Sequence, residues 1–263
     1  KGLPGKGTRE KTGPGTVTRT GGNSAIGAVT VREGTRALER AGVFRSDSYH
    51  TEDQATTAIG SGSRLYAATT FTQAGNASTL SVAVGTGNEP AITAANAALD
   101  GQLTITGFLS GDMARATRLD NRSYVVIQTS GGISGNFASV SIDGGGSTVD
   151  YLTLTGNVSA DQLRYIIETG LSWYASPTLA HGNFTLAGAD DEFNVDVVLR
   201  DRNDVSGAWT GRDLTKMGPG TLGLSAENTY TGVTDLQGGT LAAGAVNAFA
   251  ASSAARAGAG ATL

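Results

Sequence analysis

The sequence predicts an all-β protein built from many short strands, and three observations carry that prediction. Glycine accounts for 39 of the 263 residues, about twice the usual share of roughly 7%. Short alternating or β-branched runs, such as "SYVVIQT" (Ser123–Thr129) and "YLTLT" (Tyr151–Thr155), are separated by turn-forming segments such as "DGGGS". A segment near the beginning of the chain also recurs much later in the sequence.

The recurring segment begins at Lys11 and again at Lys216. "KTGPGT" (11–16) aligns with "KMGPGT" (216–221), and ten of the 27 positions from Lys11 to Ala37 are identical between the copies. A second pair aligns without gaps, with "FTQAGNASTLSVAV" (71–84) on "FTLAGADDEFNVDV" (184–197). Strand–turn–strand units therefore recur along the chain.

Pattern alone leaves a sandwich, a propeller and a parallel β-helix open. Unequal spacing between the two pairs of copies favours the irregular coils of a β-helix over a symmetric propeller. Asn23 and Asn228, each just before a glycine-containing turn, suit an asparagine ladder between stacked coils. We expect one β-helical fragment over residues 1–263, with repeat units near 9–41 and 214–246 and irregular coils with short helical inserts across 88–172.

Two short inserted helices are expected. Residues 159–162 ("SADQ") form a capping box, followed by Leu163, Ile166 and Ile167 at helical spacing and by Gly170 as a stop signal. The segment "EPAITAANAALDG" (89–101), with proline near its first turn, is a weaker candidate.

Charge and composition exclude several classes. The net charge of −4 and the pI of about 5.2 argue against nucleic-acid binding. The absence of cysteine excludes disulfides and thiol chemistry, and no run approaches the ~18 apolar residues of a membrane-spanning helix. No signal peptide opens the chain, and its last residues read as the beginning of another strand. We therefore expect a fragment of a longer protein.

A literal GxGxxG occurs at Gly218, Gly220 and Gly223, the glycine spacing of a dinucleotide-binding turn. Such a site needs a helix directly after the glycines, whereas "TLGLSAENTYTG" predicts a strand and a turn. We therefore expect no nucleotide site here.

No catalytic residue, cofactor or metal ligand is predicted. The only two histidines, His50 and His181, are far apart in sequence, and no G-x-S-x-G nucleophile motif is present. Acidic and aromatic residues remain candidates for surface contact, because paired acids could act in acid–base catalysis or bind a hard cation, and aromatics could stack on sugars. The alternative interpretation is a solvated acidic segment, with Asp201 and Asp204 among its acids, that pairs with Arg200 and Arg202, and aromatics that cover a core. The candidates are Asp190, Asp191, Glu192, Asn194, Asp196, Trp173 and Tyr174.

The segment "LTKMGPGTLGLSAENTYTGVTDLQGGTL" (214–241) resembles the autotransporter-associated β-strand repeat, roughly K-x-G-x-G-T-L-x-L-x-G-x-N-T-Y-T-G-x-T-x(6)-G-T-L. Ala226 replaces one glycine of this pattern, and the copy at Lys11–Leu38 is a weaker match. "AHGNFTLAG" (180–188) and "YVVIQTSGGISGNFA" (124–138) also resemble passenger sequences of this class.

The resemblance implies a type V secreted passenger of the AIDA type, folded as a right-handed parallel β-helix at the cell surface or outside the cell. It implies export through a C-terminal outer-membrane β-barrel in cis, and roles in adhesion, autoaggregation, biofilm formation and virulence. The implied partners are passengers on neighbouring cells or host and surface glycans. A polysaccharide-active β-helix enzyme and a passenger-folding segment are the alternatives.

Three positions depart from the pattern. Leu214, Leu224 and Leu241 of the second copy correspond to arginines in the first copy. Because an unpaired buried charge costs several kcal/mol, we expect all three arginines to be at least partly exposed. They are Arg9, Arg19 and Arg36.

Overall fold

The computed structural model describes residues 7–20, 24–83, 89–106, 122–143, 149–249 and 254–263. The chain divides into two compact units, one formed by residues 1–107, 123–142 and 155–168, the other by residues 108–122, 143–154 and 169–263. Both units are built of stacked, mainly parallel β-strands, so the predicted all-β, parallel β-helical class is confirmed. A single continuous fragment over 1–263 stays a prediction.

Residues of the first unit form most of two sheets. The larger has the order β1-β4-β7-β9-β11-β13-β16-β15, with β3 and β6 joined to β9, and the smaller has the order β14-β12-β10-β8-β5-β2. The strands are β1 (Arg9–Lys11), β2 (Thr16–Arg19), β3 (Ser24–Ile26), β4 (Val29–Val31), β5 (Thr35–Leu38), β6 (Gly42–Ser46), β7 (Tyr49–Thr51), β8 (Thr56–Ile59), β9 (Ser63–Gln73), β10 (Thr79–Ala83), β11 (Ile92–Leu99), β12 (Gln102–Thr106), β13 (Arg122–Gly135), β14 (Ser139–Ile142), β15 (Leu152–Val158) and β16 (Arg164–Leu171).

Register shows that successive coils stack directly on one another. Arg9 pairs with Val29, and Val29 with Tyr49, so one coil takes 20 residues at this point. On the smaller sheet, β5 pairs in parallel with β8, and β8 with β10. Each coil thus places strands on several faces, and each strand bonds to the equivalent strand of the next coil.

Side chains alternate between the two faces of each strand, so every second side chain points into the interior of the coil. Tyr49 and Phe71 are register partners whose buried rings stack with centroids 6.1 Å apart. On the smaller sheet an apolar column runs through four consecutive coils and is almost completely buried. Its members are Leu38, Ile59, Val82 and Ile105. Burial of these columns is the main favourable term that holds the stack together.

The second unit repeats the design with shorter sheets. Its four-stranded sheet has the order β17-β19-β21-β23, and its three-stranded sheet has the order β18-β20-β22. The strands are β17 (Asn183–Thr185), β18 (Glu192–Val195), β19 (Leu214–Met217), β20 (Thr221–Leu224), β21 (Val233–Leu236), β22 (Thr240–Ala243) and β23 (Ala254–Ala257).

The helix predicted after residue 159 is wrong. Residues 159–163 form a tight turn in which Gln162 has a positive φ of 57° and Asp161 accepts a hydrogen bond from the Leu163 amide. Hydrogen bonds from Ser159 N to Arg164 O and from Ser172 N to Tyr151 O show that β15 and β16 form an antiparallel hairpin. Tyr165, Ile167, Thr169 and Leu171 are buried alternately, so the period is two and not 3.6.

The second predicted helix, within 89–101, is also wrong. Its alanines favour a helix intrinsically, but β11 lies between β9 and β13 and bonds to both in parallel. Ile92, Ala94, Ala97 and Leu99 are buried, with a bulge at Asn96 that shifts the alternation by one residue. Tertiary pairing therefore overrides local propensity. Ser172–Tyr174, one turn of 3-10 helix, is the only helical element among the described residues.

The second pair of sequence copies forms equivalent turns. The Ser78 amide donates to the Gly75 carbonyl, and the Asp191 amide donates to the Gly188 carbonyl, each over 3.1 Å. A parallel strand follows each turn, β10 in the first unit and β18 in the second. The alignment of 71–84 with 184–197 therefore reflects shared local structure.

Glycine is required at one corner of both repeats. Gly34 and Gly239 have φ values of 66° and 68°, where side chains other than glycine are strained. A Cβ on Gly239 would also lie 2.4 Å from the Gly220 carbonyl oxygen and 2.6 Å from that of Gly218. The glycine therefore lets the turns of adjacent coils approach each other.

Gly239→Ala should lower the free energy of unfolding by at least about 2 kcal/mol. Alanine is strained in the left-handed conformation of this residue, and its Cβ would also clash with backbone oxygens of the neighbouring coil. Gly238→Ala is the matched control. Its Cβ would lie no closer than 3.4 Å to another atom, and its cost should stay below about 1 kcal/mol. Urea unfolding followed by tryptophan fluorescence measures both, because Trp173 and Trp209 lie in the second unit. Equal costs for the two variants would contradict the close approach at Gly239.

Candidate functional site

A buried lysine closes the corner of the repeat in the second unit. Lys216 lies on β19, is fully buried, and points into the coil. Its Nζ donates to the carbonyls of Met217, Gly218 and Gly238, at 3.0, 2.7 and 3.0 Å. Burial lowers the pKa of Lys216 below its usual value. Two acceptors lie in its own coil and the third in the next, so the ammonium group joins successive coils.

The first repeat contains the same arrangement. Lys11 is almost fully buried, and its Nζ donates to the carbonyls of Thr12, Gly13 and Glu33. These are the equivalent acceptors, position for position, of those around Lys216. Gly13 and Gly218 even share a φ of 77°. The two sequence copies therefore form the same corner.

The GxGxxG segment is part of this corner. Gly218 and Gly220 lie in the turn beside Lys216, and Gly223 lies within β20, whose partners are β18 and β22. The predicted strand after the glycines is confirmed, and among the described residues no helix follows this turn. The glycines shape the backbone.

Asn228 joins three coils, but it does so through backbone groups and not through a second asparagine, so the expected asparagine ladder stays a prediction. It is buried, its Oδ1 accepts a hydrogen bond from the Leu199 amide at 2.7 Å, and its Nδ2 donates to the Ala248 carbonyl at 3.0 Å. Asn23, its counterpart in the first repeat, lies outside the described residues.

The acidic candidates lie around one turn and the strand that follows it. Asp190 is exposed, and Asp191 accepts a hydrogen bond from the Gly188 amide at 2.7 Å, which closes the turn. Glu192 is exposed on β18, while Asn194, half-buried, donates to the Ser225 hydroxyl at 2.8 Å. Asp196 follows β18 and is half-buried. Asp191 and Asn194 thus have structural partners in their own or the next coil.

The aromatic candidates differ from one another. Trp173 is fully buried, donates from Nε1 to the Arg200 carbonyl, and packs on Trp209 and Tyr230 at centroid distances of 4.8 and 5.4 Å. A surface-contact role is therefore wrong for Trp173, because neighbouring coils cover its ring. Tyr174 is half-buried, and its hydroxyl accepts a hydrogen bond from the Arg200 amide.

The arginine pairing expected near this segment is confirmed for Arg202. Its Nε and Nη2 form a bidentate pair with the Asp204 carboxylate, at 2.7 and 2.6 Å. Its Nη1 donates to the carbonyls of Trp173 and Ala175. The guanidinium group therefore stabilises the loop that covers Trp173.

Sequence analysis did not locate a polar surface on the smaller sheet of the first unit, which we term the hydroxyl face. Outward positions in register carry uncharged side chains over six consecutive strands, and all of them except Ala37 and Ala58 are polar. The first column is Thr16, Thr35, Thr56, Thr79, Gln102 and Ser139. The second column, two residues further along each strand, is Thr18, Ala37, Ala58, Ser81, Thr104 and Ser141. Parallel strands about 4.8 Å apart give these columns a regular spacing.

The three arginines at expected core positions lie at the first coils. Arg9 is exposed and Arg19 half-buried, as expected, but only 8% of Arg36 is exposed, so the expectation is wrong for that residue. The guanidinium carbons of Arg19 and Arg36 lie 5.5 and 5.0 Å from the centroid of the Phe44 ring. No pattern within the repeat predicts the contact of these arginines with Phe44, because Phe44 lies in a later coil.

Metal-binding clusters and membrane-spanning helices are both absent from the part of the chain that the structure describes. No group of three or more His, Asp or Glu side chains there is placed to hold a metal ion. No helix there has the length and apolar character needed to cross a membrane.

Fold and corner geometry define a parallel β-helix whose repeats are closed by a buried lysine. Residues 10–35 and 214–243, the segments that contain both corners, match the family model of the passenger-associated-transport-repeat. This repeat is found in autotransporter passenger domains and implies a surface or secreted location. No curated protein and no solved structure matches the chain significantly.

Lys216→Met should lower the free energy of unfolding by about 2–4 kcal/mol, because three carbonyls lose their donor inside the stack. Thr215→Met introduces the same residue at the neighbouring, outward-facing position of β19 and should cost no more than about 1 kcal/mol. Urea unfolding followed by tryptophan fluorescence compares the two. A Lys216→Met variant as stable as the control would show that the lysine does not close the corner.

Proposed function

We propose that the chain belongs to an exposed autotransporter passenger whose β-helix is a non-enzymatic scaffold for adhesion, autoaggregation and biofilm formation. The observation that carries this proposal is the pair of passenger-associated repeats at residues 10–35 and 214–243. Each repeat forms a complete coil corner around a buried lysine. A scaffold built this way presents long rows of outward side chains.

The hydroxyl face is the surface that we assign to contact. Its positions carry hydroxyl, amide or methyl groups and no charge, so a facing surface can approach without like-charge repulsion. Each hydroxyl contact is weak, because it replaces a hydrogen bond to water. Rows of equivalent contacts on one molecule, and many molecules on one cell, raise the combined strength. The partner is a second passenger on a neighbouring cell or a surface glycan.

A polysaccharide-active enzyme would need acids that converge on a common cleft. In the acidic segment, Asp191 closes its own turn and Asn194 bonds to the next coil. These contacts favour a structural role for the segment, and we therefore place the enzyme second to the scaffold.

Cells that display the chain through an outer-membrane carrier should aggregate, and Thr56→Lys/Ser81→Lys/Thr104→Lys should abolish that aggregation. The three lysines place like charges along the middle of the hydroxyl face. Thr30→Lys/Thr72→Lys/Ser134→Lys makes the same changes at outward positions of the larger sheet and should leave aggregation nearly unchanged. Cell settling measures aggregation, and surface staining checks equal display.

Two outcomes would contradict the proposal. Equal loss of aggregation in both triple variants would remove the hydroxyl face from the contact. Release of reducing or unsaturated sugar products from polysaccharides by the displayed chain would support the enzyme instead.

A further inference from the structure

An open cleft in the first unit is lined by three arginines. Its volume is about 420 Å³, within the range of small-molecule sites. The lining residues are Arg9, Arg19 and Arg36, with Val17, Thr18, Thr20 and Ile26. Val17 and Arg36 are register partners on β2 and β5, so the inward column at this point of the stack carries a guanidinium group.

The repeat itself does not require these arginines. At the equivalent positions of the second repeat, Leu214, Leu224 and Leu241 are completely buried in an apolar interior. The corner lysine and the corner glycines are the same in both copies. The first copy therefore keeps the coil geometry and replaces three buried leucines with cations.

These cations lack partners among the described residues. No ion pair reaches any of the three, and the buried Nε atoms of Arg19 and Arg36 have no hydrogen-bond acceptor. Both guanidinium groups lie against the Phe44 ring, which offers its face to a cation but leaves the N–H donors free. Glu39, which lies beside Arg19 at a neighbouring cavity, is exposed and forms no ion pair with it.

Electrostatics favour an anion here. Like charges that share one ring repel each other, and burial of Arg36 weakens the solvent screening of that repulsion. An oxyanion in the cleft would neutralise the charge and accept the unpaired N–H bonds, and the planar guanidinium fork matches carboxylate, sulfate and phosphate groups. The chain's net charge of −4 does not cancel this local field, because the field inside a cleft depends on its lining.

We propose that this cleft, the arginine cleft, binds a small oxyanion: a carboxylate, sulfate or phosphate group, free or carried on a saccharide. Arg36 holds the anion from the floor of the cleft while its guanidinium group rests on Phe44. Arg19 and Arg9 close around it from the exposed side. The cleft shares Thr18 with the hydroxyl face. Its test uses purified protein and substitutions at arginines outside that face, so it succeeds or fails independently of adhesion.

Isothermal titration calorimetry with inorganic sulfate, at an ionic strength held constant with chloride, tests the proposal. Wild-type protein should bind sulfate saturably, with one site per chain. Arg36→Leu and Arg19→Leu install the residues of the second repeat and should each weaken sulfate binding about tenfold or more, the size expected for a lost charge-assisted hydrogen bond. Arg36→Lys keeps the charge without the fork and should give an intermediate loss.

Arg45→Leu is the matched control. Arg45 is exposed in the same unit and lies 5.0 Å from the centroid of the Tyr66 ring, outside the cleft. Its loss should leave sulfate affinity unchanged. Circular dichroism checks that each variant folds. If a leucine variant does not fold, the sulfate affinity of Arg36→Lys tests the proposal in its place.

Glucuronate and neutral glucose distinguish the source of the anion. Binding of sulfate and glucuronate but not glucose would show recognition of the charged group, and a tighter fit for glucuronate would indicate an acidic saccharide. No saturable binding of either anion, or unchanged affinity in Arg36→Leu, would overturn the proposal. The arginines would then act only as a polar cover on the first coils.

Discussion

The buried ammonium group at each repeat corner is the interaction on which the repeat's coil geometry depends. Lys216 donates to two carbonyls of its own coil and to one carbonyl of the next, and Lys11 does the same in the first unit. A charge without these acceptors would be costly to bury, and the acceptors without the charge would be unsatisfied. Lysine and the turn therefore stabilise each other, and positive-φ glycine is the residue that lets the turns come close enough.

The constraint explains how one repeat supports two different interiors. In the second unit the corner lies beside Leu224 and Leu241, and the inward column is apolar. In the first unit the same corner lies beside Arg19 and Arg36, which belong to two adjacent inward columns. Arg19 is followed by Leu38, Ile59 and Val82, and Arg36 is followed by Thr57 and Leu80. Because the corner is held by backbone acceptors, the inward side chains beside it are free to differ. The outward positions vary with equal freedom, and the hydroxyl face is one result.

Sequence analysis could predict the coil class because the repeat signal is local and explicit. Lysine, glycine and threonine at fixed spacing specify a corner, and alternating apolar residues specify the strands on each side. The helix predicted after residue 159 failed because Leu163, Ile166 and Ile167 match a helical period, whereas the residues that become buried follow the strand period of two from Tyr165 to Leu171. The helix predicted within 89–101 failed because pairing with β9 and β13 overrides the helical propensity of its alanines. Burial of Trp173 and the stacking of Arg36 on Phe44 depend on contacts between different coils. No pattern within either segment records them.

The parallel, in-register stack of both repeats can be tested directly with paired spin labels. The chain contains no cysteine, so cysteines introduced at Thr221 and Thr240, or at Thr16 and Thr35, are the only sites labelled. Both pairs are register partners with Cα atoms about 4.8 Å apart. We expect strong dipolar broadening of the continuous-wave EPR spectrum, similar in both register pairs. An offset pair of labels, at Thr221 and Ala242, should give weaker broadening because its two sites are further apart. Broadening in only one of the two register pairs, or stronger broadening for the offset pair, would contradict the equivalence of the two repeats.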